Sequence, residues 1–426
     1  MRVYVEAYGC AQNLGEAHAI ERAVEGSGHP VVADPALADV GVLVTCGVIG
    51  STEARMVRRY RALARRIPRL VVTGCLVPLR AELLDGPERA STVLLPIREQ
   101  ARLPALLADW ETDRPRAART RSGSAPYGRS VREVVVAQGC TSACSYCFSR
   151  LARGRIASVP AEAVTTAVAR AAADGAVEVR LSSLDTSAWG ADLPGTPSLP
   201  DLLRRVADLP GEFSVRVGMM SPQSAGPVAG PLFDVLAGAR FFQFLHLPVQ
   251  SGSDAVLRAM GRGYTVGEFR SLVARARARL PDLTLSTDVI VGFPTEDEPA
   301  FAATEALLNE IEPEIVNVTR FSPRPHTPAA RLAPLPSGVL KRRSRSLTAR
   351  RIAVARRRLE RWIGWRGTAL VTEPGSDGST LARLPNYLPA VLAERLPLGA
   401  RVGVCIDGAR STYLLARRER APGVAF

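Results

Sequence analysis

The chain has 426 residues, of which 46% are hydrophobic, and carries a formal net charge of +14 at pH 7. This length and apolar content predict a folded protein of two or three domains and argue against a disordered chain. The start, "MRVYVEAYGC", lacks a charged segment followed by a long apolar run, and no apolar stretch approaches about 18 residues, so we expect neither an export signal nor a membrane span. Seven cysteines in such a chain favour a reducing cytoplasm and metal ligation over disulfides.

Almost all of the positive charge is arginine, and Lys341 is the single lysine. A basic surface attracts phosphate backbones, so the charge is compatible with a nucleic-acid partner. A composition rich in Arg, Ala, Gly and Pro also fits a GC-rich genome. The charge alone therefore leaves both explanations open.

Residues 1 to 110 alternate between strands and helices, which predicts a parallel, doubly wound sheet. We predict strands at "RVYVEAYG", "VGVLVTC" and "RLVVTGC", and helices at 15–26 and 51–66. Cys10, Cys46 and Cys75 each follow one of these strands. Because ligands bind at the carboxyl edge of such sheets, the three cysteines are expected to converge there. For any one of them, a buried core cysteine is the simpler interpretation.

A linker is predicted at residues 111–130, which are rich in Arg, Pro, Gly and Ser. Such a linker could run across a bound RNA. Residues 131–335 resume the alternation and predict a partial (βα)6 barrel. Its strands are expected at 132–138, 177–183, 213–218, 241–247, 284–291 and 314–321. Its helices are expected near 160–173, 198–208, 265–279 and 298–311. Active sites of such barrels lie at the carboxyl ends of the strands.

The last part of the chain differs in pattern from the barrel. Residues 336–363 predict one very basic connecting helix, for which a solvated connector is the plain alternative to an RNA contact. Residues 364–426 contain short strands separated by turn residues, which predict a small all-β barrel. Cys405 lies there and is expected to be a core residue.

Three of the seven cysteines, Cys140, Cys144 and Cys147, fall in one loop behind the first barrel strand. A structural zinc site usually needs a fourth ligand, often from a second CxxC pair, and thioredoxin-type chemistry leaves Cys140 unexplained. A four-iron cluster held by three thiolates explains all three and leaves one iron open for a chelating ligand. A zinc or redox loop remains the alternative.

This spacing, with Tyr146 before the third cysteine, resembles the signature of the radical S-adenosylmethionine (SAM) superfamily. Further stretches resemble the methylthiotransferase family within it, and the β segment resembles its RNA-binding TRAM domain. These stretches are "YGCAQN" at 8–13, "TCGV" at 45–48, "TGCL" at 73–76, "HLPVQSGSDAVLRAMGRGY" at 246–264, "TDVIVGFPTE" at 287–296 and "FSPRPHTPAARL" at 321–332. The sequence departs from the family at "LGE" after "YGCAQN", at Gly47 and Gly50, and at His326, where glycine is typical.

The resemblance implies two [4Fe-4S] clusters, one on Cys140, Cys144 and Cys147 and the other on Cys10, Cys46 and Cys75. It implies that SAM binds the first cluster and is cleaved to a deoxyadenosyl radical, that the second cluster delivers sulfur, and that a second SAM gives the methyl group. SAM contacts are expected among residues at the barrel mouth, although each could instead form a salt bridge or cap: Tyr146, Asp185, Arg216, Gln250 and Asp288. No catalytic side chain is predicted; His246 is at least as readily a structural histidine, and His18 and His29 give no reason to be ligands.

The sequence looks most like the archaeal and eukaryotic branch, which acts on N6-threonylcarbamoyladenosine at tRNA position 37. The alternatives are the isopentenyl-type adenosine at that position, a ribosomal protein, and a non-enzymatic iron–sulfur RNA-binding protein. The resemblance further implies a cytoplasmic monomer that binds the tRNA anticodon loop and takes electrons from a reductant protein.

Overall fold

A computed structural model describes residues 1–47, 50–112 and 130–419. Most of the predicted linker, residues 113–129, therefore lies outside the described residues. The predicted architecture is confirmed: an open parallel α/β sheet, an open α/β barrel and a closed all-β barrel follow one another along the chain. Within the described ranges, no helix combines the length and the apolar composition needed to cross a membrane.

The amino-terminal sheet is parallel throughout, with strand order β2-β1-β3-β4-β5. Its strands are β1 (Val3–Ala7), β2 (Val31–Val32), β3 (Val40–Thr45), β4 (Arg69–Gly74) and β5 (Thr92–Leu94). Its helices are α1 (Ala11–Gly26), α2 (Gly50–Ala64), α3 (Val77–Arg80) and α4 (Leu103–Thr112). Apolar clusters cover both faces of the sheet, as the continuous valine and leucine runs of β3 and β4 require.

The prediction for α1 was wrong at its start, because the helix begins at Ala11 rather than at residue 15. Cys10 is the N-cap residue and has an extended backbone. Gln12 and Asn13, which precede the predicted start of the helix, lie in its first turn. Cys10 consequently stands directly at the amino end of α1, next to the carboxyl edge of the sheet.

The barrel consists of two parallel three-stranded sheets, ordered β10-β9-β6 and β11-β12-β13 and joined by a bridge between Val215 and Phe241. Its strands are β6 (Val131–Val135), β7 (Ala137–Gln138), β8 (Ala157–Ser158), β9 (Glu178–Ser182), β10 (Ser214–Val217), β11 (Phe244–His246), β12 (Thr284–Val291) and β13 (Ile315–Arg320). Its helices are α5 (Phe148–Arg153), α6 (Ala161–Ala173), α7 (Leu199–Ala207), α8 (Pro222–Leu236), α9 (Asp254–Ala259), α10 (Val266–Arg279) and α11 (Glu298–Ile311). The short strands β7 and β8 form a separate, two-stranded antiparallel sheet.

A long helix, α12 (Ser337–Glu360), leads to the closed barrel, whose strand order is β14-β15-β16-β18-β17. These strands are β14 (Arg366–Pro374), β15 (Thr380–Arg383), β16 (Pro389–Leu392), β17 (Arg401–Ala409) and β18 (Leu414–Arg418). Cys405 is buried in β17, as expected of a core residue.

Basic side chains of α12 form ion pairs with carboxylates of α11 and of the residues around it. Arg342 and Arg343 pair with Glu298, Arg350 with Glu305, Arg357 with Glu312 and Arg358 with Glu314. This face of the helix is thus neutralised inside the molecule. The number of arginines in α12 therefore overstates the charge that it offers to a partner.

Candidate metal and cofactor sites

The structure brings Cys10, Cys46 and Cys75 to one edge of the amino-terminal sheet. They follow the adjacent parallel strands β1, β3 and β4, so the carboxyl ends of these strands carry all three. Cys46 and Cys75 are buried, whereas Cys10 is exposed. Gly9 has φ +115°, and a Cβ there would lie 2.7 Å from the Cβ of Cys46, so only glycine lets the chain pass this close.

Asn13 ties these three loops together. Its Nδ2 donates to the carbonyl oxygens of Tyr8 and Thr45, at 2.6 and 3.0 Å, and the Cys10 thiol donates to its Oδ1 at 3.8 Å. The Thr45 oxygen also accepts from the backbone N–H of Cys75, at 2.9 Å. Burial raises the pKa of Cys75 to about 12, against the opposing charge of Arg153. A metal that binds here must therefore displace a firmly held proton.

Cys140, Cys144 and Cys147 lie in a single loop after β7, and Cys147 caps α5. The backbone N–H of Ser142 donates to Cys140 Sγ and that of Arg150 to Cys147 Sγ, each at 3.3 Å. Burial raises the pKa of Cys147 to about 11. The loop therefore supplies its own donors to two of the three sulfurs.

The third sulfur accepts a hydrogen bond from Arg262, a residue that the sequence did not single out. Arg262 Nη1 lies 3.2 Å from Cys144 Sγ, and its Nε donates to the hydroxyl of Tyr264 at 3.1 Å. The Tyr264 hydroxyl donates in turn to the carbonyl oxygen of Val249. Gly261, with φ +70°, brings this segment against the backbone at Ala143. A cation is thus held beside one sulfur of the triplet.

Each donor set fits an iron–sulfur cluster in the type of ligand it offers. Both sets consist of three thiols, the ligand type that iron–sulfur clusters use. Over residues 1–47, 50–112 and 130–419, no group of three His, Cys, Asp or Glu side chains is placed to hold one metal ion. In a cluster each cysteine binds a different iron, so its ligands need not surround one point.

The structure places the expected SAM-contacting residues in different surroundings. Asp185, just past β9, is buried and accepts hydrogen bonds from the hydroxyls of Ser187 and Ser224, at 2.7 and 2.5 Å, and from the N–H of Ser221, at 3.0 Å. These bonds hold the segment that leads into α8. A positioning role fits this carboxylate better than direct contact with a ligand, and its SAM contact stays a prediction.

Asp288, on β12, bonds to side chains on both neighbouring strands. Its Oδ1 is 2.9 Å from His246 Nε2 on β11 and 2.8 Å from Asn317 Nδ2 on β13. Burial alone would raise the pKa of Asp288, but the hydrogen bond and charge of His246 outweigh it and lower the pKa. Gln250 has φ +68°, and its N–H donates to the Asp288 carbonyl oxygen at 2.8 Å. The structure therefore brings Asp288, Gln250 and His246 together.

Arg216 is directed away from this group. Its guanidinium lies 4.6 Å from the ring centroid of Phe244 and 5.2 Å from that of Tyr387 in the closed barrel. The Tyr387 hydroxyl bonds to Glu178, the first residue of β9, so these rings lie toward the amino ends of the strands. The contacts give no support to the prediction that Arg216 binds SAM.

Tyr146 packs against the apolar cluster that contains Phe293 and Phe321, with its ring centroid 6.5 Å from that of Phe293. Gly292 in "VIVGFP" has φ +76°, and a Cβ there would lie 2.7 Å from Leu340 of α12. The close approach of α12 therefore accounts for glycine at this position, and no contact with a ligand is needed to explain it.

The comparisons with known proteins agree with this arrangement. The family model described as "Radical SAM superfamily" matches residues 134–308, and the one described as "Uncharacterized protein family UPF0004" matches residues 2–94. A relative from Archaeoglobus fulgidus, named "Probable threonylcarbamoyladenosine tRNA methylthiotransferase", is 35% identical over 425 residues, which cover 98% of each chain. The chain belongs to the radical SAM methylthiotransferase family.

A second relative of this chain, from Chloroflexus aurantiacus, is named "tRNA-2-methylthio-N(6)-dimethylallyladenosine synthase". It is 34% identical over 405 residues, which cover 90% of this chain and 84% of the relative. The structure also resembles a radical S-adenosylmethionine methyltransferase from Kitasatospora setae, with a TM-score of 0.58, 14% identity and coverage of 77% and 76%. That likeness concerns the fold.

Membership in the radical SAM methylthiotransferases makes the protein an enzyme and implies a [4Fe-4S] cluster and SAM as cofactors. The two matched regions each contain one of the three-cysteine sets. The zinc and thioredoxin alternatives give no account of this correspondence.

Proposed function

We propose that the protein is a tRNA methylthiotransferase that converts N6-threonylcarbamoyladenosine at position 37 to its 2-methylthio derivative. The observation that carries this proposal is the approach of the two three-cysteine sites. The helix that follows Cys147 contacts the helix that follows Cys10 through Arg153 and Glu16. The name of the Archaeoglobus fulgidus relative supports the substrate.

In this proposal Cys140, Cys144 and Cys147 hold the cluster that binds SAM, and Cys10, Cys46 and Cys75 hold a second [4Fe-4S] cluster. When bound, these cofactors supply radical hydrogen abstraction at an inert carbon, a sulfur atom and a methyl group. The chain itself orients them. Asp288, His246 and Gln250, which the structure brings together, are the residues proposed to bind SAM, and the rings of Tyr146 and Phe293 pack together beside the loop.

Binding of tRNA is expected to use cations that the fold has not already neutralised. Lys341 and Arg345 of α12 are exposed and form no ion pair with the described residues. Together with the net charge of +14 they favour contact with a phosphate backbone. A splayed anticodon-loop base is the kind of target that RNA-binding enzymes reach. A reductant partner, a monomeric state and a cytoplasmic location stay predictions.

The test is nucleoside mass spectrometry of tRNA from a host that lacks the methylthio modification. The host expresses the intact chain, the Cys144→Ala variant or the Cys405→Ala variant. Methylthio-threonylcarbamoyladenosine is expected with the intact chain and with Cys405→Ala, whose cysteine is buried far along the chain in β17. It should be absent with Cys144→Ala.

The second candidate is methylthiolation of the isopentenyl-type adenosine, which the Chloroflexus aurantiacus relative supports. Appearance of that product alone in the same experiment would replace the first substrate with it. Deoxyadenosine formation with unmodified tRNA would direct attention to a ribosomal protein. Iron-loaded protein that cleaves no SAM would leave the non-enzymatic RNA-binding alternative.

A further inference from the structure

Arg153 joins the barrel to the amino-terminal sheet at the cysteine loops. It lies on α5, six residues after Cys147, and its side chain has 0% exposure. The guanidinium pairs with Glu16 and donates to Asn13 Oδ1 at 2.7 Å and to Gln138 Oε1 at 2.6 Å. Glu16 and Asn13 both belong to α1, the helix that Cys10 caps.

The contacts of Asn13 extend this connection to the other amino-terminal cysteines. The same side chain that accepts from Arg153 donates to the carbonyl oxygens of Tyr8 and Thr45. Thr45 directly precedes Cys46, and its oxygen accepts from the N–H of Cys75. A continuous chain of hydrogen bonds thus runs from α5 to the loops of all three amino-terminal cysteines.

Arg324 makes a second, separate connection between the sites. It lies on the loop after β13, where its Nη2 donates to the Gly47 carbonyl oxygen at 2.8 Å and pairs with Glu53. Its guanidinium carbon is 4.5 Å from the ring centroid of Phe148. Phe148 directly follows Cys147, and Gly47 directly follows Cys46. A Cβ at Gly47 would lie 2.8 Å from the Phe148 ring, which explains this departure from the family.

We propose that Arg153 and Arg324 are positioning residues that hold the two three-cysteine sites at one fixed separation; this inference rests on the proposed presence of two clusters. Buried ion pairs add little net stability, because desolvation offsets their attraction, but they can fix a unique arrangement. Arg153 and Arg324 make these contacts only when the loops beside both sites are in place. Their planar guanidinium groups make several directed contacts that a lysine cannot reproduce.

Full-length, cluster-loaded Arg153→Lys and Arg324→Lys variants test this inference, because both keep the charge and lose the directed contacts. The first readout is the magnetic interaction between the two reduced clusters in electron paramagnetic resonance spectra. The Cys75→Ala variant gives the spectrum without that interaction. The second readout is the amount of deoxyadenosine formed per methylthio product.

We expect both variants to retain both clusters, to show a changed magnetic interaction, and to form several-fold more deoxyadenosine per product. The matched control is His18→Gln, because His18 is buried in the same contact between α1 and the barrel and accepts a hydrogen bond from the backbone N–H of Glu133 on β6. It should match the wild type in both readouts.

Wild-type values in both arginine variants would overturn the inference while leaving the proposed function intact. The same changes in His18→Gln would also overturn the inference. In that case, any weakening of the contact between α1 and the barrel would be enough to change both readouts. A wild-type protein without iron on the amino-terminal cysteines would instead contradict the two-cluster proposal. If one lysine variant fails to fold, the other decides the question.

Discussion

The two three-cysteine sites differ in how the chain assembles them. The barrel triplet, Cys140, Cys144 and Cys147, lies in one loop whose own backbone N–H groups donate to two of the sulfurs. The amino-terminal set comes from the ends of three strands and forms only when β1, β3 and β4 pair in order. A local site can be recognised from spacing, whereas a dispersed site depends on the topology of the sheet.

The second difference concerns the charges around the sulfurs. Arg262 donates directly to Cys144 Sγ in the barrel site. At the amino-terminal site, Arg153 is engaged by Glu16 and Asn13, and its charge reaches Cys75 through space. In the barrel site, therefore, a cation contacts one sulfur through a direct hydrogen bond. At the amino-terminal site, the charge of Arg153 is already balanced by Glu16.

The largest effect is expected from removing one ligand of each site. Cys144→Ala should abolish deoxyadenosine formation, whereas Cys75→Ala should retain it and lose only methylthio product, because in the proposed function the two sites hold separate clusters. Each variant should lose roughly half of the bound iron. Deoxyadenosine and product are measured by mass spectrometry. Loss of deoxyadenosine in Cys75→Ala, with iron still bound to the barrel site, would contradict the separation.

The direct hydrogen bond of Arg262 should make the barrel cluster easier to reduce. Arg262→Met, in a Cys75→Ala background that isolates this cluster, should shift its midpoint potential to a more negative value. A hydrogen bond to a charged group contributes about 1.5–3 kcal/mol, so on the order of tenfold less cluster should be reduced at a fixed potential. Spectroelectrochemical titration measures the shift. Arg262→Lys keeps the charge and should shift less; equal potentials in all three proteins would refute the effect.

Glu21 lies on α1, the helix that begins beside Cys10, and its buried carboxyl group makes the stability of the fold depend on pH. Burial raises the pKa of Glu21 to about 7, against the charge of Arg132, from an ordinary value of 4.5. The folded protein therefore binds this proton more tightly than the unfolded chain does. Stability should fall as the pH rises from about 4.5 to about 7, and the full cost, about 3 kcal/mol, is present above that range.

Denaturant titrations at about pH 5.5 and about pH 8 measure this dependence. The wild type should lose about 2 kcal/mol of unfolding free energy between these values, and Glu21→Gln should lose much less, because it carries no charge to bury. A steeper loss in the variant than in the wild type would show that other groups dominate.

The smallest change in stability is expected at His326, which lies on the same loop after β13 as Arg324. His326 is exposed and has φ +64°, a conformation that glycine adopts without strain. This backbone geometry explains why glycine is typical of the family here. His326→Gly should raise the unfolding free energy by about 0.5–1 kcal/mol. His326→Ala keeps the strain and should bring no gain in the same denaturant titration; equal gains from both would exclude backbone strain as the cause.

The fold was largely predictable, because strand and helix periods alternate clearly along the chain. The helix α8 was missed, since "PQSAGPVAGPLFDVL" contains Pro227, Pro231 and two glycines, residue types that usually end helices. Packing of Leu232, Phe233 and Leu236 into the barrel core stabilises it nonetheless. Tertiary contacts overrode local propensity there.

The candidate ligands were likewise predictable, and their surroundings were not. Spacing and strand position placed the six cysteines in two groups, and the family resemblance implied their role as ligands. Arg153, Arg262 and Arg324 did not, because a chain rich in arginine gives no pattern that marks which guanidinium group becomes buried. Arg216 was expected at the barrel mouth, but its side chain extends toward Tyr387, a residue more than a hundred positions later in sequence.

The sequence by itself determined the order of the domains, the strands that carry the cysteines and the local geometry of the barrel triplet, since these depend on residues near one another along the chain. The tertiary structure was needed to show that the helices beside the two sites are joined, that one face of α12 is neutralised by acidic residues, and that Arg153, Arg262 and Arg324 contact the cysteine loops. These features arise from contacts between distant segments. Their energies depend on burial and direction, which no local pattern of residues encodes.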